Sequence, residues 1–118
     1  MLRKADAQCP IDLEVALEYA GGDEALLREV FAVFLDESRG HLTALRSAFD
    51  EGRAGDVMDT AHTVKGSLRL LGATGTALLA EQLELAGRAS RLDGLGPDVT
   101  RFEEEMAQIL RWVEARFG

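Results

Sequence analysis

The stretch VMDTAHTVKGSLRLLGA, Val57 to Ala73, decides how this chain folds. Val57, Ala61, Val64, Leu68 and Leu71 recur at the i, i+4, i+7 spacing of an amphipathic helix that buries one stripe. Gly72 follows as a helix stop. Successive helical residues turn about 100°. On that wheel His62 sits roughly 140° from the centre of the stripe, so it faces solvent or a groove edge. Met58, Asp59, Lys65, Gly66 and Arg69 share its side, since helix positions three and four apart are surface neighbours. The stretch therefore gives two things at once, a core-facing helix and an exposed histidine with basic company.

Outward from this helix the same period repeats. Upstream, a short helix is expected over Ile11–Ala20, stopped by Gly21-Gly22. Asp23 is placed to cap the next helix. That helix carries Leu27, Val30, Phe31 and Phe34 on one face, and the spacing resumes with Leu42, Leu45 and Phe49 after Gly40. The pattern allows one long helix weakened at Gly40 or two helices end to end. Gly52 and Gly55 bracket a turn before the quoted stretch, whose helix is expected over about Gly55–Leu71. Downstream, Thr74 or Gly75 opens a helix with Leu79, Leu83 and Ala86 inward. Arg91–Gly96 reads as a loop. Pro97 suits a first helical turn, and Val99, Phe102, Met106, Ile109 and Val113 make the last stripe, ending near Phe117. No alternating strand pattern occurs. The expectation is an all-α fold, an antiparallel four-helix bundle with a short extra N-terminal helix. Residues 1–10 read as a loose arm and 11–118 as one domain.

Composition narrows the function. The 118 residues are 47% apolar and 29% charged, as in a globular protein with a single buried core. The lone cysteine, Cys9, allows no internal disulfide, which points to a reducing compartment and a cytoplasmic location. MLRKADAQCP lacks the apolar core of a signal peptide, and no apolar run approaches the ~20 residues of a membrane span. The net charge of −8 argues against nucleic acid and anionic lipid as partners. A monomer is expected.

Taken alone, His62 is an ordinary surface histidine, as His41 in ESRGHLTAL is. Gly66 argues otherwise. A glycine inside an exposed helix costs about 1 kcal/mol relative to alanine, and on the outer face it improves no packing. It does leave room for another molecule beside His62. The chemistry that fits is phosphoryl transfer to imidazole, a good nucleophile near neutral pH. Lys65, with Arg69, can balance the charge that phosphorylation adds. A carboxylate–histidine metal site is the competing reading of Asp59-x-x-His62. It fails because no second Glu-x-x-His faces it, Glu37 and His41 being four apart, and because Lys65 would repel a metal.

With these residues in view, AHTVKGSLRLLGA resembles the signature of histidine phosphotransfer domains. DLEVALEYAGGDEALLREVFAVFLDE resembles the N-terminal half of that family, and LLAEQLELAGR its helix after the active site. The resemblance covers about residues 11–91. It implies that His62 accepts phosphate through Nε2, with Lys65 in the place of the phosphate-balancing lysine and Gly66 in that of the clearance glycine. Ser67 matches the small residue after it. Glu84 falls where the family's side chain hydrogen-bonds the other histidine nitrogen; many relay members have glutamine there and chemotaxis kinases glutamate. Met58, Asp59, Ser67, Arg69 and Leu70 are the expected docking residues. The implied partners are receiver domains of response regulators or hybrid kinases, which bring their own Mg²⁺, so no cofactor or metal is expected on this chain. It lacks a Gly-rich nucleotide loop and is expected not to use ATP. The alternatives are an adaptor bundle with an idle histidine, or the phosphoacceptor domain of a longer chemotaxis-type kinase.

Overall fold

The computed structural model describes residues 10–117, and within them every regular element is a helix. The expected arm over residues 1–10 lies outside the described residues except for Pro10, and so does Cys9. The elements are α1 (Leu13–Tyr19), α2 (Glu24–Asp50), α3 (Ala54–Leu70), α4 (Thr74–Arg88) and α5 (Gly96–Phe117). α2 packs on α3 and α5, and α4 on α3 and α5, which closes a ring of four helices. The links α2–α3 and α3–α4 are three residues each, too short for anything but antiparallel neighbours. α1 touches α2 and α3 at one end of the bundle.

The helix starts are written locally. Asp12 Oδ1 accepts from the backbone N–H of Glu14 and Val15 to cap α1, and Asp23 Oδ1 accepts from those of Ala25 and Leu26 to cap α2. α2 resolves the open choice at Gly40. It runs unbroken for 27 residues, about 40 Å at 1.5 Å per residue, and so spans the 42 Å long axis of the molecule. Nothing lies within 4 Å of a Cβ built at Gly40, so no contact there forces a break. The turn before α3 is tighter than the glycine spacing suggested. Gly52 sits in it at φ +70°, whereas Gly55 lies inside the first turn of α3.

After α3, Gly72 takes φ +75° and its carbonyl accepts from Asp12 N–H at 3.2 Å. That bond ties the start of α1 to the α3–α4 turn. A Cβ at Gly72 would lie 2.7 Å from Asp12 Cβ and 2.8 Å from its carbonyl oxygen, so both conformation and space demand glycine.

The four stripe residues of α3 and Leu71, which caps it one residue beyond its end, are buried, as are Leu27, Phe31 and Phe34 of α2, Leu79 and Leu83 of α4, and Val99, Phe102, Met106, Ile109 and Val113 of α5. Val30, Leu42, Phe49 and Ala86 are half-buried at the edge of that core. Polar clips fix α5 against its neighbours: Arg46 grips Glu103 through Nη2 (2.6 Å) and Nε (3.1 Å), and Thr76 donates to Glu105 at 2.9 Å. Phe117 stacks on Phe31 with centroids 4.4 Å apart, which pins the end of α5 to α2. No helix among the described residues is long and apolar enough to cross a membrane.

Candidate functional site

The stripe that buries Val57, Ala61 and Val64 turns His62 outward, and its side chain is 67% exposed. The ring nonetheless has a buried partner. Nδ1 lies 2.8 Å from Oε2 of Glu84, on α4, whose side chain is only 4% exposed. An ionised carboxylate only accepts hydrogen bonds, so Nδ1 carries the proton. In the neutral ring Nε2 then holds the lone pair, and it is the nitrogen that faces away from Glu84.

Lys65 does not stand out in solvent beside His62 as the helical wheel suggests. Its side chain is 12% exposed and reaches across to α4, where Nζ donates to Glu84 Oε1 at 2.5 Å and lies 3.8 Å from Glu81. The long alkyl stem lies along the α3–α4 seam and the ammonium goes to the carboxylate that most needs a counter-charge. Arg69 pairs with Glu81 at 3.3 Å. Arg88, one turn after Glu84, completes the cluster at 3.3 Å from Glu84 Oε2.

These neighbours set the ionisation of Glu84. The hydrogen bond from Lys65 holds its carboxyl below the ordinary value of 4.5; burial pushes the other way, and the hydrogen bond from His62 lowers it further. A carboxyl with a lowered folded-state value stabilises the fold wherever it is ionised in both states, which means above about pH 4.5. That stability drains away as pH falls through the folded-state value. In urea titrations from pH 7 down to pH 3, Glu84→Gln is therefore expected to be less stable than the parent at neutral pH, with the gap closing in acid. A gap constant across that range would mean that Glu84 contributes nothing through its charge.

The glycines beside the histidine divide into two kinds. At Gly66 an added Cβ meets nothing within 4 Å, so packing does not ask for glycine there. At Gly87, inside α4, an added Cβ would lie 2.7 Å from the Ala54 carbonyl oxygen and 2.7 Å from the Met58 nitrogen. Gly87 is what lets α4 approach α3 closely enough for Glu84 to reach His62. Its only trace in the sequence is the glycine before the arginine of LELAGR.

Four of the five expected docking residues lie in three different surroundings. Met58 is half-buried rather than exposed, because its backbone lies under Gly87 and α4 covers that side of the helix. Asp59 lines a polar groove between α2 and α3 with Arg39, Thr43 and Thr60. Ser67 and Leu70 line an apolar groove with Tyr19, Leu26 and Val33. Tyr19, Leu26, Val33 and Leu70 are all exposed, and the first three come from α1 and α2, where no local pattern marks them.

An exposed imidazole whose Nδ1 is held by a buried carboxylate thus lies on the face of a four-helix bundle. The chain belongs to the Hpt domain family, whose model matches residues 29–112. Its function is histidine phosphotransfer within a phosphorelay, as a phosphocarrier that works with receiver domains. Among solved structures it is similar to histidine-containing phosphotransfer protein B of Pseudomonas aeruginosa. That match has a TM-score of 0.81 and 24% identity, over 89% of this chain and 91% of that one. It is also similar to the HPT domain of a sensor hybrid histidine kinase from Shewanella, with a TM-score of 0.80 and 19% identity over 90% and 92%. At these identities the two likenesses speak for the fold. No curated protein sequence matches the chain significantly.

Proposed function

We propose that His62 is the phosphoacceptor and that the phosphoryl group arrives from, and leaves to, receiver-domain aspartates. The observation that carries this is the 2.8 Å bond from Nδ1 to Glu84 in a ring whose Nε2 side is open. The Nε2 lone pair attacks the phosphorus of an aspartyl phosphate, and the bond from phosphorus to the aspartate oxygen breaks. Glu84 keeps the Nδ1 proton and stabilises the positive charge that the ring gains as the N–P bond forms. The return step reverses these bonds onto a second receiver. Lys65 and Arg69 lie on the same side of α3 and offset the charge of the phosphoryl group, Lys65 while it also holds Glu84. Mg²⁺ belongs to the receiver, and this chain neither binds it nor uses ATP.

The docking surface runs from His62 across Gly66 to Leu70 and into the apolar groove of Tyr19, Leu26 and Val33. Exposed apolar residues clustered next to a reactive group mark a protein contact rather than a solvated face. The carrier works as a monomer in the cytoplasm and leaves nucleic acid and membranes alone, in keeping with its net charge of −8.

The direct test is to incubate the chain with a panel of charged receivers and follow transfer rates, alongside Gly66→Gln. In-line transfer needs donor and acceptor held within a few ångströms with water excluded. A side chain at position 66 projects into the space that the receiver must fill. Gly66→Gln is expected to leave the bundle as stable or more stable, by up to ~1 kcal/mol. The same change should cut transfer and receiver binding by roughly an order of magnitude, the scale on which ~1.4 kcal/mol acts. Unimpaired transfer by this variant would move the receiver off the Gly66 side of the helix, and transfer from no receiver would defeat the reading of His62.

A further inference from the structure

Glu84 accepts three donors, two of them cationic, on two oxygens. Oε1 takes Lys65 Nζ, whereas Oε2 takes both His62 Nδ1 and Arg88 Nη2. The carboxylate is approached from both directions along α4. Lys65 comes in beside Glu81, one turn before Glu84, and Arg88 comes back from one turn after it. Lys65 already supplies one full positive charge to a side chain that is 4% exposed. Arg88 is 63% exposed, and an exposed pair of this kind adds little to stability. Its place on Oε2 has a geometric consequence instead. The last torsion of glutamate is broad, and each carboxylate oxygen offers two lone-pair directions. With the imidazole alone on Oε2, the carboxylate can rock and the ring can follow it. With Arg88 on the outer lone pair, only one direction remains.

We infer that Arg88 is a positioning residue: it occupies the outer side of Glu84 Oε2, so that this oxygen holds His62 Nδ1–H along one direction, fixes the aim of Nε2 and keeps the ring in the tautomer that Glu84 selects. This rests on the reading of His62 as phosphoacceptor. Arg88 acts through Glu84 and need not touch the phosphoryl group. It completes a frame in which each oxygen of the buried carboxylate has a fixed cationic partner and the histidine takes the acceptor direction left over. Glutamine at position 84 would present a single acceptor oxygen and no charge, so an arginine four residues on would have much less to hold. Glu84 and Arg88 therefore form a matched pair.

The test uses the full chain labelled with ¹⁵N, as Arg88→Ala and Arg88→Lys beside the parent. Imidazole nitrogen spectra of the unphosphorylated protein at alkaline pH report which ring nitrogen carries the proton. Transfer from a charged receiver and receiver affinity are measured on the same samples. In the parent, His62 is expected to show a protonated Nδ1 and a bare Nε2. In Arg88→Ala the ring should leave Oε2 part of the time, and the two nitrogen signals should move toward one another as the tautomers of the freed ring mix. Transfer should slow about fivefold with receiver affinity unchanged, the signature of lost orientation rather than lost binding. Arg88→Lys should restore most of both. Unchanged nitrogen signals in Arg88→Ala would overturn the inference, whatever happens to the rate. Weakened receiver binding with the tautomer intact would also overturn it and make Arg88 a docking contact. The nitrogen spectra are read before any phosphate is added, so they judge Arg88 even if no receiver transfers to the parent, a result that would count against His62 itself.

Discussion

His62→Gln is expected to abolish phosphate acceptance from every receiver that charges the parent chain, while leaving the fold where it was. The loss is complete because the reacting atom goes: an amide nitrogen has no lone pair available for attack on phosphorus. The fold tolerates the change because the side chain is 67% exposed and the glutamine amide can still donate to Glu84 Oε2. Exposed substitutions of this kind stay within about 0.5 kcal/mol. His41 serves as the internal control. It is half-buried on α2 and is not placed beside a buried carboxylate as His62 is beside Glu84. Acid-labile label that persists in His62→Gln would move the site to His41. Label acquired by the parent from ATP and Mg²⁺ alone would reveal a nucleotide site that the chain is expected not to have.

Gly87→Ala carries the second large effect, and its sign is set by two opposed magnitudes. Gly87 lies in the last turn of α4, where replacing glycine by alanine favours the helix by at most about 1 kcal/mol. Here the new Cβ lands 2.7 Å from two backbone atoms of α3, the Ala54 oxygen and the Met58 nitrogen. Backbone cannot swing aside as a side chain can, so α4 must move off α3 along their shared seam. Overpacking of that kind costs about 1–3 kcal/mol, and with unyielding atoms the upper part of the range applies. A net loss of ~2 kcal/mol is expected, which lowers Tm by roughly 5–10 °C. Transfer should fall with it, because the shift that relieves the clash also lengthens the bonds from Glu84 to His62 and Lys65. Gly66→Ala is the matched control. It gains at least as much helix propensity, meets nothing within 4 Å, and is expected to stabilise the bundle. If Gly87→Ala also stabilises, the close approach of α3 and α4 is not what sets the site.

The sequence made particular residues legible for particular reasons. Val57, Ala61, Val64, Leu68 and Leu71 spell out the buried face of α3 because helical period is a local property, and the same signal placed α2, α4 and α5. Asp23 announced the start of α2 through its cap, and Gly72 the end of α3 through its positive φ. The outward direction of His62 followed from the wheel alone. Gly40 stayed ambiguous because a lone exposed glycine weakens a helix without deciding whether it breaks; the packing of α2 on both α3 and α5 decided it. Met58 and Lys65 were placed on the open face by their angles, and both turned out half-covered. An angle on an isolated helix does not say how closely a neighbour approaches or how far a flexible side chain reaches.

What the sequence by itself determined was the set of helices, the stripe each one buries, the turns between them, and the spacing that puts His62, Lys65 and Gly66 on one side of α3. Each depends on residues within a few positions of one another, where backbone geometry converts spacing into direction. The tertiary structure alone decided that Glu84 is buried, that Lys65 and Arg88 both close on it, and that Gly87 thins the seam enough for the carboxylate to reach the ring. It also decided that Tyr19, Leu26 and Val33 line up beside Leu70. His62 and Glu84 are 22 residues apart, and their register depends on how α3 and α4 slide and how near they come. That distance is set by the contact of one missing side chain with the backbone opposite, which no periodicity along a single helix records.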